Sequence, residues 1–203
     1  MSMKLIFSPA SPFVRKVRVM IYECGLTQSV ELVPVKTTAL ATDPLALNAN
    51  PLGKIPALVV NESTTLFDSR VICRYLDDRA NAGLYPQATL WEVLTLEALS
   101  DGILEAAVAM VYEARLRPEE QQSQAWVDAQ WGKITKSLDA LDAQRFPMLE
   151  GAVNFAQLSI ACALGYLDFR HDGRKWRDGR AWLTDWNDAM QDRPSLSTTL
   201  PSD

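Results

Sequence analysis

The chain has 203 residues, 48% hydrophobic and 22% charged, with a formal net charge of −5. That length and composition suit one large or two small globular domains with a real core. They exclude several classes. An acidic balance with no basic patch argues against nucleic acid as a partner. Nothing approaches the roughly 18 consecutive apolar residues of a membrane span. A lone Lys4 in a short apolar run is no signal-peptide pattern, so a cytoplasmic protein is expected.

In chain order, residues 3–7 read as a strand, followed by Ser8-Pro9-Ala10-Ser11-Pro12-Phe13 and an amphipathic helix toward Glu23. Ser11 holds the cap position. Pro12 takes the first helical position, where its missing N–H costs nothing. Free N–H groups and the positive end of the helix dipole then face whatever sits beside Ser11. Ser11 is therefore either a plain cap or the edge of an anion site, and a thiolate is one candidate anion.

The stretch from Asn50 through Leu52, Gly53, Lys54, Ile55 and Pro56 is a turn leading into the apolar run Ala57 to Val60. Proline in a sheet belongs at edges, strand starts or bulges. A cis Ile55–Pro56 bond would turn the Ile55 backbone outward, unpaired. The short strand Thr65-Leu66-Phe67 then delivers Asp68-Ser69 to the start of a helix running through Ile72, Tyr75 and Leu76. This is a second capped helix start with free N–H groups.

Residues 79–88 carry the turn residues of a linker. The expected division is an α/β domain at 1–78, the linker, and an all-α helical bundle at 89–203. Leu90 to Arg115 reads as a long helix. Pro118 restarts a second helix through Trp126, Ile134, Leu138 and Leu141, ended by Pro147, and the two should be neighbours. Gly102, after Asp101 inside the first long helix, implies close packing, because glycine there costs about 1 kcal/mol against alanine. Asn154-Phe155-Ala156-Gln157 is a variant capping box ahead of the apolar run to Leu167. Trp182 and Trp186, one turn apart, should anchor the last helix, with an aromatic ligand pocket as the alternative.

Cys24, Cys73 and Cys162 are far apart, odd in number and without metal spacing. Each falls in a helical apolar pattern, so buried, inert thiols are expected. His171, the only histidine, lies in Arg170-His171-Asp172-Gly173-Arg174. That segment reads as a polar surface loop. No metal site is expected.

The cap-Pro-Phe after the first strand, the Asn-Pro-Leu-Gly-Lys-Ile-Pro turn and Asp-Ser-x-x-Ile-x-x-Tyr-Leu occur in an order and spacing that resemble the cytosolic glutathione transferases, in the serine-type form found in bacteria. The resemblance continues through the helical second half. It implies a thioredoxin-like N-terminal domain, a helical C-terminal domain, glutathione as co-substrate and a homodimer. By that resemblance Ser11 would activate the thiol, with Ser8 as its rival. Ile55 would pair backbone to backbone with the cysteinyl unit beside the cis Pro56, and Lys54 belongs to the same glutathione-binding turn. Asp68 and Ser69 would hold the γ-glutamyl end, although many relatives carry Glu where Asp68 stands. Asp101 would reach the glutathione amine of the partner subunit, or simply sit on a solvated face. Relatives with cysteine at the cap exchange disulfides; Ser11 cannot.

The implied chemistry is conjugation of the glutathione thiolate to a small hydrophobic electrophile. A thiol of pKa about 8.5 is only about 3% ionised at neutral pH. Lowering that pKa by about two units needs roughly 2.7 kcal/mol, and a hydrogen bond to a charged acceptor, about 1.5–3 kcal/mol, is of the right size. Two alternatives stand: a glutathione-binding module without transferase activity, or another glutathione-dependent enzyme such as an isomerase, peroxidase or dehalogenase.

Overall fold

The computed structural model describes residues 2–203. These separate into two compact units, residues up to Tyr85 together with Ser195–Asp203, and Pro86–Pro194.

The first unit is a mixed sheet with helices. Its elements are β1 (Met3–Phe7), α1 (Pro12–Glu23), β2 (Val30–Pro34), α2 (Pro44–Ala49), β3 (Ala57–Asn61), β4 (Thr64–Leu66) and α3 (Ser69–Ala80). The sheet order is β2-β1-β3-β4, with β1 parallel to β2 and the other pairs antiparallel. Met3, Leu5 and Ile6 of β1, Val14, Val17, Met20 and Ile21 of α1, and Ala57 and Leu58 of β3 are buried. Helices α1 and α3 pack on each other. The β3–β4 turn closes through Asn61, whose Oδ1 accepts from the Ser63 N–H at 2.9 Å and the Ser63 hydroxyl at 3.0 Å.

The last nine residues join this unit, whereas the sequence predicts one helical domain over 89–203. The reason lies in α1. Arg15 is 1% exposed, and its Nη2 donates to the Leu196 carbonyl at 3.0 Å. The Ser195 hydroxyl donates to the Glu23 carboxylate. The chain end is thus bonded near both ends of α1.

The second unit is helical: α4 (Leu90–Leu116), α5 (Gln124–Gln144), α6 (Phe155–His171) and α7 (Ala181–Gln191). Helix α6 is apolar almost all round and buried over most of its length, as a helix at the centre of a bundle must be. It packs on α4, which also packs on α5, and Ser100 Oγ donates to the Ser159 carbonyl at 2.8 Å. Trp182 and Trp186 stack at 6.4 Å, and Trp186 Nε1 donates to the Leu149 carbonyl at 2.8 Å. That bond ties α7 to the segment before α6. No helix among the described residues is long and apolar enough to cross a membrane.

Several local expectations change. Helix α5 does not begin at Pro118. That proline precedes a 3-10 turn at Glu119–Gln121, and the helix starts where Ser123 Oγ accepts the Trp126 N–H at 3.3 Å. A serine cap, not the proline, sets the start. The helix ends before Pro147, at Arg145, which sits at φ 43°. Gly102 is not closely packed: a Cβ there would meet nothing within 4 Å. The capping box is half a box. Asn154 Oδ1 accepts from the Ala156 and Gln157 N–H groups at 3.0 and 3.4 Å. The Asn154 N–H makes no bond to Gln157 Oε1, and the Gln157 amide turns to the preceding loop, where its Nε2 donates to the Glu150 and Ala152 carbonyls at 3.3 and 3.4 Å.

Cys73 and Cys162 are buried, while Cys24 is only half-buried at the end of α1. Burial, with the Asp77 and Glu23 carboxylates adding to it, pushes the Cys24 thiol up to about 12, so it stays protonated and inert.

His171 is not in a surface loop. It closes α6 with its ring Nε2 3.0 Å from the Ala107 carbonyl, beside Trp131 and Tyr166. Burial holds its pKa below the ordinary 6.5. The folded protein therefore binds this proton less readily than the unfolded chain, and the stability it confers above pH 6.5 is lost as pH falls toward the depressed folded value. We expect the unfolding free energy of the wild type, relative to that of His171→Gln, to fall as pH drops below the ordinary histidine value of 6.5. Urea titrations of both chains at a series of pH values check this; a difference constant with pH would contradict it.

Candidate functional site

Strand register places the predicted motifs at one end of one sheet. Ile6 of β1 pairs with Ala57 of β3, so the chain leaving β1 after Phe7 and the chain entering β3 through Pro56 meet at the same end. Leu66 of β4 pairs with Leu58 of β3, so the exit of β4 toward Asp68 and Ser69 lies there too. Phe7 also pairs with Pro34 of β2, and the Val35 N–H donates to the Phe7 carbonyl at 2.8 Å. That pairing delivers the exposed Lys36 to the same end.

At the β1 exit, Ser11 caps α1 in extended backbone (φ −82°, ψ 121°). Its Oγ accepts the Val14 N–H at a long 3.4 Å, and its own N–H donates to the Ser8 carbonyl at 3.1 Å. The hydroxyl acts on the protein as an acceptor, so its proton remains for a further acceptor. Ser11 and Ser8 are both half-buried.

At the β3 entry, the Ile55–Pro56 peptide bond is cis. Pro56 is buried and Ile55 half-buried. Neither the N–H nor the C=O of Ile55 makes a backbone hydrogen bond to the described residues. Lys54 is exposed, and its carbonyl accepts from Asn50 Nδ2 at 2.9 Å.

At the β4 exit, the Phe67–Asp68 peptide is also cis. Asp68 caps α3, its Oδ1 accepting the Arg70 N–H at 3.0 Å, while Oδ2 lies 3.4 Å from Arg70 Nη2. The Asp68 side chain is exposed. Ser69, the first residue of the helix, is 2% exposed.

Ser11, Lys54, Ile55, Pro56, Asp68 and Ser69 thus all belong to the first unit and to one sheet end. Asp101 does not: it stands on α4 of the second unit and is 4% exposed, which removes the solvated-face alternative.

Two residues that shape the site lie inside the predicted motif without having been singled out. Asn50 is buried and clamps the turn. Its Oδ1 accepts the Leu52 N–H at 3.0 Å, its Nδ2 holds the Lys54 carbonyl, and its own carbonyl accepts the Gly53 N–H at 2.7 Å. This is an Asx turn, a signal present in Asn-Pro-x-Gly. Gly53 sits at φ +63°, and a Cβ there would stand 2.6 Å from Thr42 Cγ2. The positive φ favours glycine, and an added Cβ would also push on the exposed Thr42 side chain, which would have to turn away. Thr42 and Lys36 leave no such signal, because only the fold brings residues 36–42 to this turn.

An exposed sheet end with two capped helix starts, an unpaired backbone segment and nearby lysines suits an extended polar ligand bearing carboxylates and an amide backbone. Residues 10–79 match the family model of the glutathione S-transferase N-terminal domain, and residues 124–189 that of the C-terminal domain. The chain is 36% identical over 208 residues to the uncharacterized GST-like protein YibF of Escherichia coli K12, covering 98% of each protein. A glutathione transferase family member from Pseudomonas fluorescens Pf-5, crystallised with bound glutathione, is 41% identical, with a TM-score of 0.96 and 100% of both chains covered. A glutathione S-transferase from Methylobacillus flagellatus KT with glutathione bound is 36% identical, with a TM-score of 0.85 over 99% of this chain and 100% of the other. The chain belongs to the glutathione S-transferase family.

The turn at Gly53 offers a direct test of the site's framework. Gly53→Ala should cost about 1–3 kcal/mol, from a left-handed backbone that alanine resists and from the collision with Thr42. Adding Thr42→Ser, which removes Cγ2, should recover part of that loss in thermal or denaturant unfolding. Full stability of Gly53→Ala alone would mean the turn is loosely held.

Proposed function

We propose that this protein is a glutathione transferase that ionises the glutathione thiol beside Ser11 and transfers the sulfur to a small hydrophobic electrophile. The observation that carries this reading is the convergence of Ser11, Ile55–Pro56 and Asp68–Ser69 at one sheet end, with the Ile55 backbone left without a backbone partner. In this assignment the cysteinyl unit of glutathione pairs with the N–H and C=O of Ile55. Ser69 and the start of α3 hold the γ-glutamyl carboxylate, and Asp68 faces the ammonium group. Lys54 and Lys36 are the cations available to the glycyl carboxylate. The unit of residues up to Tyr85 with Ser195–Asp203 is the glutathione-binding part, and Pro86–Pro194 is the helical part. The active form is a two-fold homodimer built on α4 and α5, in a cytoplasmic protein. Asp101 is assigned to the partner subunit's glutathione amine.

The Ser11 hydroxyl donates to the sulfur, and the N-terminus of α1 adds its positive end. A hydrogen bond to the thiolate contributes about 1.5–3 kcal/mol, enough to lower a thiol pKa by about one to two units. The thiol proton passes to solvent, and the thiolate attacks the electrophile, forming a C–S bond as the leaving group departs or as the π-bond electrons move to the neighbouring carbon, which takes up a proton from solvent. A Pseudomonas fluorescens family member, 40% identical with a TM-score of 0.91 over 99% of this chain and 100% of that one, was crystallised with S-(propanoic acid)-glutathione. An S-substituted glutathione is the kind of product such a reaction yields, which favours conjugation over a binding module.

Titrating glutathione by calorimetry, then assaying an electrophile panel with and without it, tests the reading. Ser11→Ala should lower turnover while leaving glutathione affinity nearly intact, and the kinetic pKa should rise because a donor to the thiolate is lost. If Ser8→Ala shows this behaviour and Ser11→Ala does not, the activating serine is Ser8.

Ser69→Ala should weaken glutathione binding by about 1–3 kcal/mol, the cost of losing a hydrogen bond to a charged group. Unchanged affinity would place the γ-glutamyl end elsewhere.

A further inference from the structure

The chain follows the helical unit with a last segment, Ser195–Asp203, that belongs to the first unit again. This segment is folded against itself. Thr199 Oγ1 donates to the Ser195 carbonyl at 2.7 Å, and the Thr199 N–H donates to the Leu196 carbonyl at 3.4 Å. Ser195, Leu196 and Thr199 are all buried. Two side-chain bonds join it to α1, one near each end of that helix. Arg15 Nη2 donates to the Leu196 carbonyl at 3.0 Å, and the Ser195 hydroxyl donates to the Glu23 carboxylate.

The first of these bonds falls where α1 meets the candidate site. Arg15 is the residue whose N–H closes the first turn, donating to the Ser11 carbonyl at 3.0 Å. The cap itself holds that turn weakly, since Ser11 Oγ accepts the Val14 N–H only at 3.4 Å. Val14 and Val17 are fully buried, but apolar contact has no preferred direction. A guanidinium N–H on a carbonyl does have one. Direction matters here because a hydrogen bond weakens steeply with misalignment, and a group that acts on a reacting atom must be held to within about 0.5 Å.

We propose that the chain end is a positioning element for the glutathione site: the Leu196 carbonyl, by holding Arg15, fixes the first turn of α1 and with it the aim of the Ser11 hydroxyl. The inference rests on the reading of Ser11 as the thiol-activating residue. Arg15 is then a positioning residue that acts on the sulfur through the helix start. The Ser195–Glu23 bond secures the far end of the same helix, so α1 does not pivot about its Leu196 contact. Residues at the very end of the chain thus set the chemistry of a motif near its beginning.

The ultraviolet thiolate absorbance of bound glutathione, followed over pH on full-length chains, tests the proposal. Arg15→Met removes the donor. Leu196→Ala leaves the carbonyl but loosens its buried anchor, and it carries the test if Arg15→Met does not fold. Each should raise the bound thiol pKa by about half to one unit. Turnover at a pH below that pKa should fall about three- to tenfold, with KM for glutathione nearly unchanged. Arg15→Lys, which keeps a donor for the carbonyl, should recover most of the loss. In a Ser11→Ala background neither Arg15→Met nor Leu196→Ala should shift the pKa further, because both act through the hydroxyl. A further shift there would mean that the Arg15 charge acts on the sulfur directly, and it overturns the proposal. So does a lowered wild-type pKa that responds to Ser11→Ala but not to the folded Arg15 or Leu196 variants. Wild-type protein that leaves the thiol pKa at its ordinary value, or a lowered value that Ser11→Ala does not change, overturns instead the reading of Ser11, and this inference falls with it.

Discussion

Antiparallel pairing of β1 with β3 is the constraint on which the rest depends. With Ile6 opposite Ala57, the segment after β1 and the segment before β3 must lie at the same sheet end. The β3–β4 hairpin then has no choice but to return Asp68 there, and the parallel β1–β2 pair brings residues 35 and 36. Four segments distant in sequence become one surface through backbone hydrogen bonds alone. A one-residue slip in β1 would turn its buried side chains outward, so burial of Met3 and Leu5 also fixes which loops meet.

Helix α1 carries that geometry into chemistry. Its first turn holds Ser11 at the cap, and Arg15 follows one turn later, its N–H donating to the Ser11 carbonyl at 3.0 Å. The same Arg15 uses its side chain on the Leu196 carbonyl. Burying a guanidinium is costly unless it is bonded, so the chain end is not a free tail but the acceptor for a buried cation. The helix start that presents Ser11 is thereby held from two sides, by its cap and by residue 196.

What was legible in the sequence follows from how each feature is encoded. Pro12, Gly53 and Pro56 mark backbone conformations, and Ser11, Asp68 and Asn154 mark helix starts. These choices are local, so they show in a few consecutive residues. Strand β2 and helix α2 were less legible. In Val30–Pro34 only Val30 is buried, so no alternation appears, and Pro44–Ala49 is too short for a helical period. Pro118 misled because proline favours a helix start, yet Ser123 offered the side-chain acceptor and the proline did not. Gly102 misled because its weak helix propensity was read as a demand for space, and the space beside it is open.

The two units differ in the same way. Glutathione-type recognition at the sheet end relies on main-chain groups and caps, and those require particular residue types at fixed spacing. The helical unit instead gathers side chains from helix ends. There Arg115, Arg170 and His171 look in sequence like ordinary cations in the last turn of a helix, favoured by its dipole whether or not they bind anything. Only packing shows that the end of α6 meets α4, with His171 against Ala107, and that the turn after α6 carries Arg174 to the last turns of α4. A backbone-built site announces itself in the sequence, whereas a cluster of ordinary helix-end side chains becomes visible only when three chain segments are placed together.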